Sequence, residues 1–147
     1  MAYQITGVKP GEAKITITST TSPSVKTALT VTVPNLWRYP ALPVSNSGIT
    51  FTADDDGVHA KGTATSWANC QTSITLEAGD YELSATTPSP DVYASLVTPG
   101  GQTAKLSTRI ANPHRGTIPA GTYLMRVGVA ASATVDATIT PTLTRIN

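Results

Sequence analysis

A catalytic site needs a base, an acid or nucleophile, and a group that orients them. This chain offers few residues for such work: two histidines, one cysteine and nine acidic residues among 147. His59 stands near Lys61 and His114 beside Arg115, and neither has a carboxylate at a telling spacing. There is no Gly-x-Ser-x-Gly elbow, no pair of histidine ligands and no phosphate loop. No catalytic residue is therefore expected, and the chain reads as non-enzymatic. Asp54-Asp55-Asp56-Gly57 has the carboxylate density that calcium favours, but Asp and Gly equally serve the backbone of a tight hairpin turn. The turn is the reading adopted, with no metal and no cofactor.

Aromatic and amide side chains carry the clearer signal. A sugar is held by an aromatic face against the C–H side of its ring and by planar polar groups at its hydroxyls. The period of two along a strand puts Trp67, Asn69 and Gln71 on one face. Arg126 falls on the outward face of another strand, and Tyr93 and Asp91 share a parity on a third. These six are the candidate carbohydrate-binding residues, with Trp67 as the platform. Trp37 and Tyr39 could flank a cleft, but they are expected to pack the N-terminal segment against the rest of the chain.

Two related stretches must position these residues: TLEAGDYELSA (75–85) and TIPAGTYLMRVGVAA (117–131). In each, an apolar strand end meets Ala-Gly, and a strand opened by Tyr81 or Tyr123 leaves the turn. Leu83 and Ala85, or Met125, Val127 and Val129, follow on the tyrosine's face, so both tyrosines are assigned to the core. Around them, apolar residues alternate at 49–53, 58–62, 68–76, 91–98, 105–110 and 134–144, with turns at 54–57 and 99–101 and a loop at 111–116. Val135, Ala137, Ile139 and Leu143 are read as inward-pointing. Eight or nine short strands without helical period, together with 26 Thr, 11 Gly and 11 Pro, make the class all-β. The architecture expected is an antiparallel β-sandwich, jelly-roll-like, preceded by a β-hairpin.

That hairpin occupies residues 3–33. Ile5 and Val8 precede a turn at 9–12. Ala13, Ile15 and Ile17 alternate with polar residues, and after Ser22-Pro23-Ser24 so do Leu29, Val31 and Val33. Pro34, which cannot donate to a ladder, marks the join, giving units 1–34 and 35–147. A net charge of +1 without a basic run excludes an electrostatic footprint for nucleic acid. No apolar run reaches the ~18 residues of a membrane helix, and no signal-peptide pattern opens the chain. The lone Cys70 permits no internal disulfide and is read as a small buried residue.

The run ITGVKPGEAKITITST…KTALTVTV resembles the closing half of a group 2 bacterial Ig-like domain. The opening strands of such a domain are absent, which implies a chain cut inside a longer protein, a hairpin docked on the second unit, or strands donated by another chain. The second unit carries Asn-Leu, GITFTADDDGVHAKGTAT, ITLEAGDYELS, IPAGTYLMRV and ATITPTLTRI in order. It resembles the carbohydrate-binding-like sandwich modules of phage and prophage tail and receptor-binding proteins. The resemblance implies a virion structural or surface module (decoration, tail or fibre), with other virion proteins and a host-surface glycan as partners and a homo-oligomeric assembly. The alternatives are a carbohydrate-binding module of a secreted or cell-surface bacterial protein, and a purely architectural oligomerisation module.

Overall fold

The computed structural model describes residues 10–55, 57–101 and 103–146, and none of these is helical. The first strands, β1 (Gly11–Thr18) and β2 (Lys26–Val33), pair antiparallel from Gly11↔Val33 to Thr18↔Lys26. Their turn closes with Val25 N–H donating to Ser22 O at 2.8 Å. Gly11 and Glu12 already belong to β1, while Lys9 of the expected turn, like Ile5 and Val8 before it, lies outside the described residues. Ala13, Ile17 and Leu29 on the hairpin's apolar face are exposed, and no described hairpin residue joins the main core.

Ten further strands follow among the described residues: β3 (Val44–Asn46), β4 (Ile49–Asp54), β5 (Gly57–Thr63), β6 (Ala68–Leu76), β7 (Gly79–Thr86), β8 (Val92–Val97), β9 (Ala104–Ser107), β10 (His114–Ile118), β11 (Gly121–Val129) and β12 (Thr134–Arg145). One sheet has the order β10-β7-β12-β5-β4-β3, the other β6-β11-β8-β9, with every pairing antiparallel. From β5 onward the chain changes sheet at every connection except the β8–β9 hairpin. The result is a two-sheet antiparallel sandwich.

Two strands, β3 and β10, lie where none was expected. β3 follows the prolines at 40 and 43, which hold that segment extended. β10 begins inside the expected loop 111–116. It is an edge strand with only Ile118 fully buried, so it shows no apolar alternation. The core lies between the sheets. Ile49, Phe51, Val58, Ala60, Leu83, Ile139 and Leu143 face Cys70, Ala94, Leu96, Met125, Val127 and Val129 across it.

β12 serves two partners in succession: β5 through Thr134–Ile139, then β7 through Thr140–Arg145. Where it parts from β5, its polar backbone would lose a ladder, and Asn35 takes the place of the missing strand. Its Nδ2 donates to Pro141 O at 3.2 Å and its Oδ1 accepts Leu143 N–H at 3.0 Å. Leu36 N–H adds a bond to Leu143 O at 2.8 Å. Pro141 is tolerated at this seam because no strand there asks for its N–H. The same Asn35 Oδ1 accepts Trp37 N–H at 3.0 Å, which steers Trp37 into the sandwich core. Trp37 therefore closes the second unit's own interior, and does not bridge to the hairpin as expected. Tyr39 stays partly exposed.

The two Ala-Gly-x-Tyr segments solve one problem in the same way. Tyr81 O–H donates to Glu77 O at 2.8 Å, and Tyr123 O–H donates to Pro119 O at 2.7 Å, each reaching four residues back. Both rings are buried, so each hydroxyl satisfies a carbonyl at the turn while its ring fills the core. Phenylalanine at either position keeps the ring and orphans that carbonyl. Tyr81→Phe and Tyr123→Phe should each lower unfolding free energy by about 1 kcal/mol. Urea titration would read this as a lower midpoint at constant slope; an unmoved midpoint would show that the bond contributes nothing.

Candidate functional site

The outer face of the four-stranded sheet is laid out by register. Gln71 pairs with Arg126, Arg126 with Ser95, and Ser95 with Ser107, so four polar side chains form one row across β6, β11, β8 and β9. The next row is Asn69, Gly128 and Tyr93. Trp67 stands just before β6 on the same face, half exposed. The inner rows carry the core, which fixes this outer face by strict alternation.

Gly128 shapes the second row. A Cβ there would lie 2.5 Å from Tyr93 Cζ, so the absent side chain gives the tyrosine ring its bed on β11. From that position Tyr93 meets Trp67 edge-to-face, with centroids 6.2 Å apart and planes at 76°. Arg109 completes the corner. Its guanidinium carbon lies 4.7 Å from the Trp67 ring centroid and 5.8 Å from that of Tyr93. Burial pushes the Tyr93 phenol above its ordinary 10, and the positive charges of Arg109 and Arg126 pull it partway back.

Arg126 is held from two sides. Its Nε and Nη2 donate to Gln71 Oε1 at 3.1 and 2.9 Å, and its Nη1 donates to Gly101 O at 3.2 Å. Gly101, at φ 70°, has the conformation that favours glycine, and a Cβ there would strike Arg126 Nη2 at 2.1 Å. The result is a shallow cleft of about 320 Å³, near the lower bound for small-ligand sites. Trp67, Tyr93, Arg109 and Arg126 form its walls, and the hydroxyl-bearing Ser95 and Ser107 line it. A second cleft of about 380 Å³ lies along Tyr93 and Arg109 and is lined by Thr87, Pro88, Ser89 and Pro90.

Of the six residues expected from sequence, Trp67, Tyr93, Arg126 and Gln71 come together, with Gln71 acting as the brace of Arg126. Asn69 lies in the neighbouring row and lines neither cleft. Its backbone is clamped by Asn46, which accepts Asn69 N–H at 3.0 Å and donates to Asn69 O at 2.6 Å. Asp91 precedes β8 and also lines neither cleft, with its carbonyl accepting Ala130 N–H. Arg109, Ser95 and Ser107 escaped the sequence reading. The strand expected at 105–110 ends at Ser107, so Arg109 sits in the turn after β9 and not on a strand face, and the serines carry no pattern of their own.

His114 supports this turn from β10: its Nδ1 lies 2.9 Å from Ser107 N and 3.1 Å from Ser107 O. Ser107 also accepts Arg109 N–H on Oγ at 3.3 Å. The other histidine belongs to a polar chain on the opposite sheet. His59 Nε2 meets Asp136 Oδ1 at 2.8 Å, its Nδ1 meets Thr138 Oγ1 at 3.0 Å, and Thr138 O–H donates to Asp54. Lys61 Nζ lies 3.0 Å from Asp136 Oδ2. The carboxylate missing near His59 in sequence thus arrives across the sheet from β12. This chain lies on an open strand face and lines neither cleft. Asp54 pairs with Gly57 across the β4–β5 turn, and its carboxylate accepts the Thr138 hydroxyl and Asp55 N–H. Cys70 is buried, and loss of solvent pushes its thiol up to about 11.

Compared with known proteins, the chain matches no family model and no curated protein.

Two outcomes follow from this geometry. Gly128→Ala should displace the Tyr93 ring and open its contact with Trp67, at about 1–3 kcal/mol of overpacking strain. In an NMR spectrum the Trp67 indole N–H should shift while that of Trp37 holds; two unmoved indoles would refute the bed. The second concerns acid. The Thr138 hydroxyl holds Asp54 below its ordinary 3.8, and the Lys61 ammonium holds Asp136 below it. Depressed folded-state values mean that the unfolded chain binds more protons, so this stability is complete above that value and is lost as pH falls through the folded ones. Between about pH 5 and about pH 2.5, an Asp54→Asn, Asp136→Asn double variant should lose less stability than the parent. Parallel curves would contradict it.

Proposed function

We propose that this chain is a non-enzymatic attachment module at the surface of a phage particle, a decoration, tail or fibre component whose sandwich binds host glycan. The observation that carries the reading is the Trp67–Tyr93 corner. A half-exposed indole, an edge-to-face tyrosine and a row of hydroxyl, amide and guanidinium groups share one outer sheet face. That combination suits a sugar ring, with its apolar side on the indole and its hydroxyls on the polar row. The order of strand motifs resembling tail and receptor-binding modules supports the virion setting, with other virion proteins as neighbours. The same site would serve a carbohydrate-binding module of a secreted bacterial protein. The exposed apolar side chains of the hairpin, Ile17 and Leu29, favour a homo-oligomeric or otherwise assembled state.

A glycan array probed with the parent chain and with Trp67→Ala tests the reading. The parent should bind a defined set of glycans, and the variant should lose that binding by about tenfold or more while unfolding at the same temperature. Equal signals from the two proteins would remove glycan attachment and leave assembly through the hairpin as the function.

A further inference from the structure

Among the described residues, no carboxylate forms an ion pair with either arginine at the corner. Arg126 spends three of its five N–H donors on neutral acceptors, the Gln71 amide oxygen and the Gly101 carbonyl, leaving one hydrogen on each terminal nitrogen. Arg109 is exposed and rests against two aromatic rings; among the described residues no acceptor takes its guanidinium N–H groups. No Asp or Glu lines either cleft, and the carboxylates that form ion pairs do so elsewhere: Glu82 with Arg115, Glu77 with Arg145, and Asp136 with Lys61 and His59.

Both cations border the same cleft, one wall each. Two like charges facing one small volume repel each other, and an anion placed between them relieves that repulsion while gaining charge-assisted hydrogen bonds. Arg126 is also preorganised, so little side-chain freedom remains to be lost on binding. Ser95 and Ser107 line the same cleft, in the cross-strand row of Arg126, and Trp67 borders it half exposed, with Arg109 over one face of its indole.

From this arrangement we infer that the corner selects an acidic sugar, its ring on Trp67 and its anionic group between Arg109 and Arg126. The inference rests on the glycan-attachment reading and narrows it. The anion is a carboxylate on a sugar acid or a phosphate on a phosphorylated sugar. Both accept paired N–H donors from arginine, and both are absent from neutral glycans.

The test is an array of acidic oligosaccharides printed beside their carboxyl-reduced or dephosphorylated counterparts, probed with the parent chain, Arg109→Gln and Trp67→Ala. Arg109 lies in an exposed turn, so its variant should fold as the parent does, and a thermal melt checks this. The parent should bind charged members about tenfold or more above their neutral partners, with the gap shrinking in about 0.5 M NaCl. Arg109→Gln should lose most of that preference, whereas Trp67→Ala should lose binding to charged and neutral members alike. Preference for the carboxylate or the phosphate pairs identifies the source of the anion, and either supports the inference. Equal binding of charged and neutral partners would overturn it and leave glycan attachment standing. Binding to no member of either set would overturn both.

Discussion

The alternation of β11 is the constraint on which everything else depends. Flanked by β6 and β8, this strand has no free edge, and every second residue must enter the interior. Tyr123, Met125, Val127 and Val129 meet that demand, so Leu124, Arg126 and Gly128 have only the outer face available. A slip of one residue would bury Arg126 and expose the apolar set, an arrangement that costs far more than the ladder could return. The cleft is therefore the obligatory reverse side of the core. The cation, the bed for Tyr93 and the row of hydroxyls are placed by the packing that holds the sheets together.

A second device secures the other sheet. A strand that changes partner midway exposes backbone at the change, and β12 does this between Ile139 and Thr140. A single side chain, Asn35, reproduces both a donor and an acceptor of the missing neighbour. It also orients Trp37, whose indole N–H is buried without a hydrogen-bond partner among the described residues. An unpaired donor of that kind costs on the order of 1–3 kcal/mol, a burden the large apolar ring offsets by filling the sandwich interior.

How much of this was legible in the sequence depends on how locally each feature is encoded. Strand faces follow a period of two, so the inward set of β12 and the shared face of Trp67 and Gln71 could be read from spacing alone. The Ala-Gly-x-Tyr echo marked two buried tyrosines for the same reason. β10 was hidden because an edge strand needs no apolar alternation, and Trp37 was misassigned because its direction comes from Asn35 bonding to residues more than a hundred positions away. In the candidate site, Gln71, Tyr93 and Arg126 were legible on their strands, while Ser95 and Ser107 carried no pattern of their own and Arg109 lies in a turn. Arg109 meets Trp67 through tertiary packing, and the Asp136 partner of His59 is supplied by strand pairing; neither leaves a trace in local spacing.

The two walls of the cleft are anchored differently. Arg126, Ser95 and Ser107 sit in the ladder, where any change is felt by neighbouring strands. Arg109 and Ile110 project from a short turn whose backbone is tied down by Ser107 and Thr108. Substitutions at 109 and 110 can thus alter charge and shape at the rim while the hydrogen bonds beneath persist. Sequence change at these two positions can remodel that rim, one codon at a time, without putting the scaffold at risk.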